Sequence, residues 1–453
     1  MQVQGTITTV NETYDTAGSP ERAFLVGVRD SRIGLQEAES LLRELGGLAK
    51  SLGLEIAGTM MVPLRERNPA TLVGSGKADE IVAAAKADGA TSIIFDTILS
   101  PIHQRNMEAL AGMSVYDRAE LIIDIFASRA RTREAVLQVE LARLRYSLPR
   151  LAHSYGDLHR QRGGRFGTKG SGEQKIELDR RQISRKIHDV EEELEQVRKA
   201  RATQRKKRER MDLKRAAIVG YTNAGKSSLL NALATSAAVL AEDKLFATLD
   251  PTTRRLDTSS GSILVTDTVG FVRNLPHGLV EAFKATLEEA ADADLLVHVV
   301  DVSDPEAAVQ FETTRTVLAE IGVEAGASIV VLNKIDKVNP GSMPLPSLPV
   351  SGIAGHAGTG SIGEAGTQTG LEPLQVSAVT GQGLAELLAA IESILTRDMS
   401  ELTLRVGPSD YAIVAMLYRE ATVLSEDHEG EATLVRCRLP ARLLSRVERF
   451  RMR

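Results

Sequence analysis

The segment from Gly220 to Ser227, which reads GYTNAGKS, constrains the fold more than any other part of the sequence. The pattern G-x-x-x-x-G-K-S is typical of a loop that follows a buried strand, opens a helix and holds nucleotide phosphates. Its glycines let backbone N–H groups turn towards the phosphates, and the positive end of the helix adds to the attraction. Residues 215–219 have the composition of a buried strand, and residues 228–233 that of a helix. The sequence therefore predicts an α/β fold built around a phosphate-binding loop.

Length and composition favour a protein of about three domains in a reducing compartment. The chain has 453 residues, and its one cysteine, Cys437, excludes an internal disulfide framework. The first residues lack the regions of a signal peptide, and no apolar run reaches membrane-spanning length. The net charge is −5, tryptophan is absent and aromatic residues make up 4%, which disfavours an extended surface for base stacking. We expect a cytoplasmic monomer that neither inserts stably into membranes nor binds DNA.

Each residue of the phosphate-binding loop has an expected task. Lys226 should neutralise charge on the β and γ phosphates, and the hydroxyl of Ser227 is the expected protein ligand of Mg²⁺. Asn223 has two interpretations: its side-chain oxygen helps to hold a K⁺ ion that supplies positive charge, or the residue only shapes the loop. The remaining nucleotide contacts expected in this segment are Gly220, Tyr221, Thr222, Ala224, Gly225 and Ser228.

A second element, D-x-x-G, follows one strand after the loop. The predicted strand at 262–266 runs into the sequence DTVG. Its aspartate, Asp267, is expected near Mg²⁺ through water, and the N–H of Gly270 is expected to sense the γ-phosphate. The nucleotide contacts expected here are Asp267, Thr268, Val269 and Gly270.

Residues 247–255 (ATLDPTTRR) form the expected switch segment, whose threonine closes on Mg²⁺ when the γ-phosphate is present. Thr253 is preferred over Thr252 because it immediately precedes Arg254. An ordinary proline-containing turn is the alternative interpretation. With this choice, the expected metal ligands are Ser227, Thr253 and Asp267, and the residues assigned to catalysis are Lys226, Thr253 and Gly270.

Phe271 follows the DTVG element, at a position where many small GTPases carry a glutamine that orients the attacking water. A phenylalanine has no polar group for this task. Either another group or a partner must then position the water. The sequence therefore predicts slow basal hydrolysis that a partner stimulates.

A third element, N-K-x-D, points to guanine as the base. Apolar runs at 295–300 and 328–332 are typical of parallel strands covered on both faces, and the second ends in Asn333, Lys334, Ile335 and Asp336. Asp336 can accept hydrogen bonds from N1–H and the exocyclic amine of guanine, a pairing that adenine cannot satisfy. Lys334 should pack over the base, and Asn333 should brace the loop. A short strand at 374–376 then leads into Ser377 and Ala378, whose N–H is expected to donate to guanine O6. The elements together predict GTP and GDP as ligands.

The first part of the chain reads as a small α/β domain. Predicted strands at 24–28, 55–59 and 91–96 alternate with a helical leucine pattern and with a helix at 79–87. The sequence GSGK from Gly74 to Lys77 resembles a second phosphate loop, but Thr71 replaces the required first glycine and Ala78 the Ser or Thr. A glycine-rich turn before a helix is the preferred interpretation.

Two helical stripes follow, and they predict an antiparallel helical hairpin. Between them, residues 153–175 form a glycine-rich loop with Arg160, Arg162 and Arg165 among its basic residues. A flexible basic loop on a stiff stalk suits insertion into folded RNA, whereas the alternative is a solvated linker. The stripe residues are Leu137, Leu141, Leu144 and Leu148 in the first helix and Ile183, Ile187, Val190, Leu194 and Val197 in the second.

These motifs together resemble those of the HflX family of translation-factor-related GTPases. The likeness rests on GYTNAGKSS, FATLDPTTRR, DTVGFVRNLPHGLVEAF, HVVDVSD and NKID, and on the earlier VGSGK, LQVELARLRY and GGRFGTKGSGE. It implies a GTPase that binds the large ribosomal subunit, with its N-terminal domain and hairpin loop meeting ribosomal RNA, and that can split stalled ribosomes under stress. The family's nucleotide contacts fall on Asn223, Lys226, Ser227, Thr253, Asp267, Gly270, Asn333, Lys334 and Asp336.

Four domains are expected from these patterns. They are an α/β domain at 1–120, the helical hairpin at 121–212, a G domain at 213–398 and a small α+β domain at 399–453. Within the G domain, residues 339–373 form a Gly, Pro and Ser-rich insert whose composition cannot bury enough surface to fold alone.

The sequence leaves one other function open and argues against a third. The chain could be an RNA-binding or ribosome assembly factor in which GTP acts mainly as a conformational ligand, and Phe271 keeps that interpretation open. A role in tRNA modification lacks the cysteine that such chemistry would need, because Cys437 lies far from the G domain.

Overall fold

The computed structural model describes residues 21–154, 171–209, 214–234, 246, 250–258, 261–274, 290–323, 327–338, 372–397, 399–430 and 432–452. The chain divides into two compact units, Met1–Leu121 and Ile122–Arg453. The tip of the predicted basic loop and most of the 339–373 insert therefore lie outside the described residues. Among the described helices, none combines the length and the apolar character that crossing a membrane requires.

The first unit is built on a parallel four-stranded sheet with strand order β2-β1-β3-β4. The three strands expected from the sequence are confirmed, and the fourth, the short SVYD segment, was not predicted. The apolar face of α1 explains the leucine pattern, since Leu41, Leu45 and Leu48 are buried. The bounds are β1 Arg22–Arg29, α1 Leu35–Ser51, β2 Glu55–Pro63, α2 Ser75–Ala87, β3 Ser92–Phe95, α3 Pro101–Ala111 and β4 Ser114–Asp117.

The GSGK segment opens α2. Gly74 is the N-cap residue, and the helix begins at Ser75, so Gly76 and Lys77 lie in its first turn. Lys77 forms an ion pair with Glu80 of the same helix at 2.6 Å. The interpretation as a glycine-rich turn before a helix is therefore confirmed.

The next three helices are α4 Arg118–Arg129, α5 Arg133–Ser154 and α6 Ser171–Glu209. The second and third pack along an apolar seam that contains the predicted stripe residues Leu137, Leu141, Val190 and Leu194. Ion pairs flank the seam, with Glu134 near Arg201 and Glu140 near Lys186. Later residues of α5 therefore pair with earlier residues of α6. This confirms that the two helices are antiparallel.

A six-stranded sheet with order β10-β9-β8-β5-β7-β6 contains the strands that precede the predicted nucleotide-binding motifs. All neighbours are parallel except the edge strand β6, which is antiparallel to β7. Continuous apolar burial in β5, β8 and β9 agrees with strands covered on both faces. The bounds are β5 Lys214–Gly220, α7 Lys226–Leu233, β6 Thr252–Thr258, β7 Gly261–Asp267, β8 Leu295–Asp301, α8 Ala307–Glu320, β9 Ser328–Asn333, β10 Leu374–Gln375 and α9 Leu384–Leu395.

The C-terminal segment forms an antiparallel three-stranded sheet, order β11-β13-β12, with two helices packed on one face. Cys437 is fully buried in its core, and burial raises the pKa of the thiol to about 11, so the sulfur stays protonated and unreactive. The bounds are β11 Met399–Val406, α10 Tyr411–Glu420, β12 Thr422–Glu429, β13 Ala432–Pro440 and α11 Ala441–Val447.

The first unit contains a buried ion pair between Arg118 and Glu44 of α1, with side chains 1% and 9% exposed. We expect Glu44→Ala to reduce the free energy of unfolding of this unit by about 3–5 kcal/mol, because it removes the carboxylate that compensates a buried guanidinium. Denaturant titration followed by hydrogen exchange of the β1 and β3 amides measures the effect. Glu39→Ala changes an exposed residue of the same helix and should alter stability by less than about 0.5 kcal/mol. Equal effects of the two variants would contradict the prediction.

Candidate nucleotide-binding site

The phosphate-binding loop connects the carboxyl end of β5 to α7. Gly225 is the N-cap of α7 and adopts a left-handed conformation, with φ +91°. A Cβ at this position would collide with the side-chain amide nitrogen of Asn333. The glycine is therefore required both by its backbone angle and by the close approach of β9.

Lys226, at the first position of α7, is the buried cation of the site. Its Nζ donates to the carbonyl of Tyr221 at 2.8 Å, so the side chain folds back across its own loop. Burial lowers the pKa of Lys226 to about 8; Asp267 acts in the opposite direction, and Lys334 adds to the lowering. A phosphate group would compensate this poorly solvated charge.

Ser227 and Asp267 bring together the two predicted oxygen ligands from α7 and β7. The Ser227 hydroxyl donates to Asp267 Oδ2 at 2.6 Å. Among the described residues, no group of three or more His, Cys, Asp or Glu side chains could hold a metal by itself. One hydroxyl and one carboxylate fit Mg²⁺, which binds few protein oxygens and takes its other ligands from water and substrate phosphates.

The other members of the DTVG element are buried between β7 and the phosphate-binding loop. Thr268 is buried, and its hydroxyl donates to the carbonyl of Ile218 at 2.8 Å. Val269 and Gly270 are buried as well.

Two other residues of the phosphate-binding segment have structural contacts. Ser228 lies in the first turn of α7, and the carbonyl of Ala224 accepts from Asn333 Nδ2 at 2.9 Å.

Thr253, the predicted magnesium threonine, lies on the opposite face of the β6–β7 pair from Asp267. Thr253 is in β6, opposite Thr266, and the two hydroxyls are 2.9 Å apart. Its neighbour Thr252 is opposite Asp267. Successive residues of a strand point to opposite faces, so Thr252 shares the face of Asp267 and Thr253 does not. This arrangement does not support the preference for Thr253.

Phe271 is held against the phosphate-binding loop. Its N–H donates to the carbonyl of Gly220 at 3.2 Å, its carbonyl accepts from the N–H of Thr222 at 2.8 Å, and its side chain is buried. Two residues later, the N–H of Arg273 donates to the Tyr221 hydroxyl at 2.8 Å, and the Arg273 guanidinium pairs with Glu306. The segment after the DTVG element is thus joined to Gly220, Tyr221 and Thr222 of the phosphate-binding loop by one hydrogen bond each.

Asn333 joins the phosphate and base halves of the site. Its Nδ2 donates to the carbonyl of Ala224, and its Oδ1 accepts from the N–H of Ala378 at 3.2 Å. The N–H of Ala378, which was expected to donate to guanine O6, thus has Asn333 as its acceptor. Asp336 is exposed, and its Oδ1 accepts from the Ser377 hydroxyl at 2.6 Å.

Asp301 is a site residue that sequence reasoning missed. Its Oδ2 pairs with Lys334 Nζ at 2.7 Å, while the same ammonium donates to the carbonyl of Asn223 at 2.7 Å. Asn223 itself is exposed and left-handed, with φ +61°. Asp301 ends β8 and lies opposite Asn333 of β9, so its position at a strand end beside the NKID element was the signal that could have found it.

Asp250, in the predicted switch segment, was also missed. Its carboxylate accepts from the N–H groups of Arg131 and Thr132, at 2.9 and 3.0 Å, and from the Thr132 hydroxyl at 2.5 Å. Thr132 immediately precedes α5, and its hydroxyl accepts from the N–H of Ala135. Four residues before Asp250, Phe246 meets Phe126 of α4 edge to face, with ring centroids 4.5 Å apart. The switch segment is therefore bonded to the base of the helical pair.

Four family models match the chain in succession. They are described as GTP-binding GTPase N-terminal at 39–127, GTP-binding GTPase Middle Region at 129–208, 50S ribosome-binding GTPase at 215–334 and HflX C-terminal domain at 366–451. The GTPase HflX of Magnetococcus marinus is 42% identical over 96% of this chain and 97% of its own length. The chain belongs to the HflX family.

Two more HflX GTPases and one solved structure are similar to this chain. GTPase HflX of Akkermansia muciniphila is 44% identical over 95% of this chain and 97% of its own length, and that of Escherichia coli 39% identical over 93% and 94%. A solved GDP complex of SsGBP is 25% identical, covers 83% of this chain and 99% of its own, and has a TM-score of 0.48. As an HflX family member, this chain is a GTPase that binds GTP and GDP.

Asp336 is the predicted reader of guanine. We expect Asp336→Asn to weaken GTP binding by about 2 kcal/mol, roughly thirtyfold, because an amide cannot accept both donors of the base edge. The same variant should gain affinity for xanthosine triphosphate, whose O2 can accept from the new amide. Competition titration against a fluorescent GDP measures both affinities. Asp427→Asn, an exposed aspartate of β12, is the control and should leave both values unchanged. Unchanged nucleotide preference in Asp336→Asn would contradict the assignment.

Proposed function

We propose that this GTPase associates with the large ribosomal subunit and splits or rescues stalled ribosomes under stress. The observation that carries the proposal is the match of residues 215–334 to the family described as 50S ribosome-binding GTPase. The geometry of Phe271 supports dependence on a partner, because this residue is buried and offers no polar side-chain group for the attacking water.

Magnesium would be held by Ser227 and Asp267, and it would neutralise developing negative charge on the phosphates when bound. Lys226 would contribute a second positive charge. For the switch threonine, Thr252 is the better candidate of the two considered, because it shares the face of Asp267. Thr248 of the same segment lies outside the described residues, so Thr248→Ala, Thr252→Ala and Thr253→Ala form the set that identifies the ligand by loss of Mg²⁺-dependent hydrolysis.

Ribosomal RNA contacts are proposed for the N-terminal domain and for the helical pair. Near its described start, α6 exposes basic side chains on successive turns, including Arg180, Arg181 and Arg185. This part of the helix leads back to the basic loop at 153–175, whose charge favours a phosphate backbone. The four domain boundaries, the monomeric state and the cytoplasmic location remain predictions.

Sedimentation with purified ribosomal subunits tests the proposal. We expect the chain with a non-hydrolysable GTP analogue to sediment with large subunits and not with small ones, and large subunits to raise the hydrolysis rate at least tenfold. Light scattering should report dissociation of intact ribosomes. Binding without stimulated hydrolysis would instead support an assembly factor that uses GTP as a conformational ligand. No binding and no stimulation would refute ribosome association.

The basic loop gives a sharper version of this test. Replacing Arg160, Arg162 and Arg165 together by alanine should weaken large-subunit binding at least tenfold and reduce its dependence on salt, since fewer phosphates are neutralised. The charge-matched control replaces Arg397, Arg405 and Arg449, three exposed arginines of the C-terminal part, and should bind normally. Equal losses of large-subunit affinity in both triple variants would show that binding depends on the net charge of the protein and not on the basic loop.

A potassium ion at Asn223 is a separate proposal for the same site. The exposed side chain of Asn223 lies in the phosphate-binding loop, and its backbone carbonyl is fixed by Lys334. We expect faster hydrolysis in KCl than in NaCl, and loss of this difference in Asn223→Gly. Glycine is the suitable replacement because it tolerates φ +61° without strain. Equal wild-type rates in the two salts would refute the potassium site.

A further inference from the structure

Thr222 carries a buried hydroxyl that its surroundings leave unsatisfied. The residue is 5% exposed, and its Oγ1 has no hydrogen-bond partner among the residues that the structure describes. An unpaired buried hydroxyl is costly, so such a group in a ligand site points to a bond that forms with the ligand. Thr222 is the third residue of the phosphate-binding loop.

The position of Thr222 relative to the DTVG element shows which ligand group is near. A Cβ built on Gly270 would stand 2.8 Å from both Cα and Cγ2 of Thr222, and 2.9 Å from Lys226 Nζ. The Thr222 methyl group, the Gly270 backbone and the Lys226 ammonium therefore surround one small space, and a rotation about χ1 exchanges that methyl with the hydroxyl on the same Cβ. Lys226 and the N–H of Gly270 are the groups expected at the γ-phosphate.

The backbone of Thr222 is also fixed with respect to Phe271. The Thr222 N–H donates to the Phe271 carbonyl at 2.8 Å, which connects it to the residue that replaces the usual glutamine. The aromatic side chain cannot orient water. Thr222 thus carries a hydroxyl without a described hydrogen-bond partner, on the same Cβ as the methyl that borders this space.

We propose that the Thr222 hydroxyl orients the attacking water, a task that Phe271 cannot perform. This inference rests on the γ-phosphate position given above. The water oxygen attacks the γ-phosphorus, a new P–O bond forms, and the bond between the γ-phosphorus and the β–γ bridging oxygen breaks. GDP leaves with the bond electrons, and the water proton ends on the phosphate product. The Thr222 hydroxyl either accepts a hydrogen bond from the water or donates one to the water oxygen. Thr222 itself is unchanged at the end of the reaction.

The test compares Thr222→Val with Thr222→Ser. Valine keeps the shape and removes the hydroxyl, whereas serine keeps the hydroxyl. We expect Thr222→Val to reduce the single-turnover rate of GTP hydrolysis about 100-fold, the effect of losing one positioned polar group in an active site. Its affinity for fluorescent GDP should stay within about twofold of wild type. Thr222→Ser should restore at least a third of the rate.

A second measurement distinguishes orientation of water from a structural role. The complex of GDP with aluminium fluoride imitates the transferring phosphoryl group with its attacking water, so Thr222→Val should weaken it far more than it weakens GDP alone. Thr314→Val is the control, because its buried hydroxyl bonds to the Gln310 carbonyl within α8, away from the site, and it should hydrolyse at the wild-type rate.

Two results would overturn the inference. One is wild-type hydrolysis by Thr222→Val, and the other is a parallel loss of GDP affinity and rate, which would make the hydroxyl structural. Failure of the site assignment itself is separable: Lys226→Ala would then still bind nucleotide normally, whatever the behaviour of the Thr222 variants.

Discussion

The double hydrogen bond of Asn333 is the interaction on which the site depends. One end of its amide binds the Ala224 carbonyl in the phosphate-binding loop, and the other end binds the Ala378 N–H in the loop after β10. The side chain is 1% exposed, so removing either partner would leave a buried polar atom unsatisfied, at about 1–3 kcal/mol. Because Gly225 has no side chain, β9 can approach closely enough for this bond. The spacing between the phosphate and base halves of the site is set here.

Each of the two lysines of the site, Lys226 and Lys334, lies near an aspartate. Lys334 is fixed between Asp301 and the carbonyl of Asn223, so its charge is compensated before any ligand binds. Lys226 is more deeply buried than Lys334, and burial lowers its pKa to about 8 although the nearby Asp267 acts in the opposite direction. The two lysines therefore differ in what they offer: Lys334 positions a loop, whereas Lys226 has electrostatic free energy to gain from a phosphate.

The sequence predicted the secondary-structure elements and motifs that follow from a local residue pattern or from a fixed order along the chain. Strands β5, β8 and β9 follow from continuous apolar runs, and the turn before α2 follows from Gly74. β4 was missed because its four residues, SVYD, contain a single aliphatic side chain, whereas β3, of the same length, is the apolar run SIIF. The roles of Asp301 and Asp250 depend on partners 33 and 118 residues away, which no local pattern contains. For the same reason, no local pattern shows which of Thr252 and Thr253 shares the face of Asp267, because this depends on the register of β6 against β7.

The switch segment is held from two sides, and this limits how it can move. On one side Asp250 accepts three hydrogen bonds at the start of α5, and Phe246 packs on α4. On the other side Thr252 and Thr253 begin β6, which is paired with β7 at the edge of the described sheet. Hydrogen bonds between 2.5 and 3.0 Å do not survive a shift of more than about one ångström. Any closure of the segment on a metal-bound phosphate must therefore either carry the start of α5 with it or break these bonds. If the predicted closure occurs, the base of the helical pair would share in the energetics of nucleotide binding.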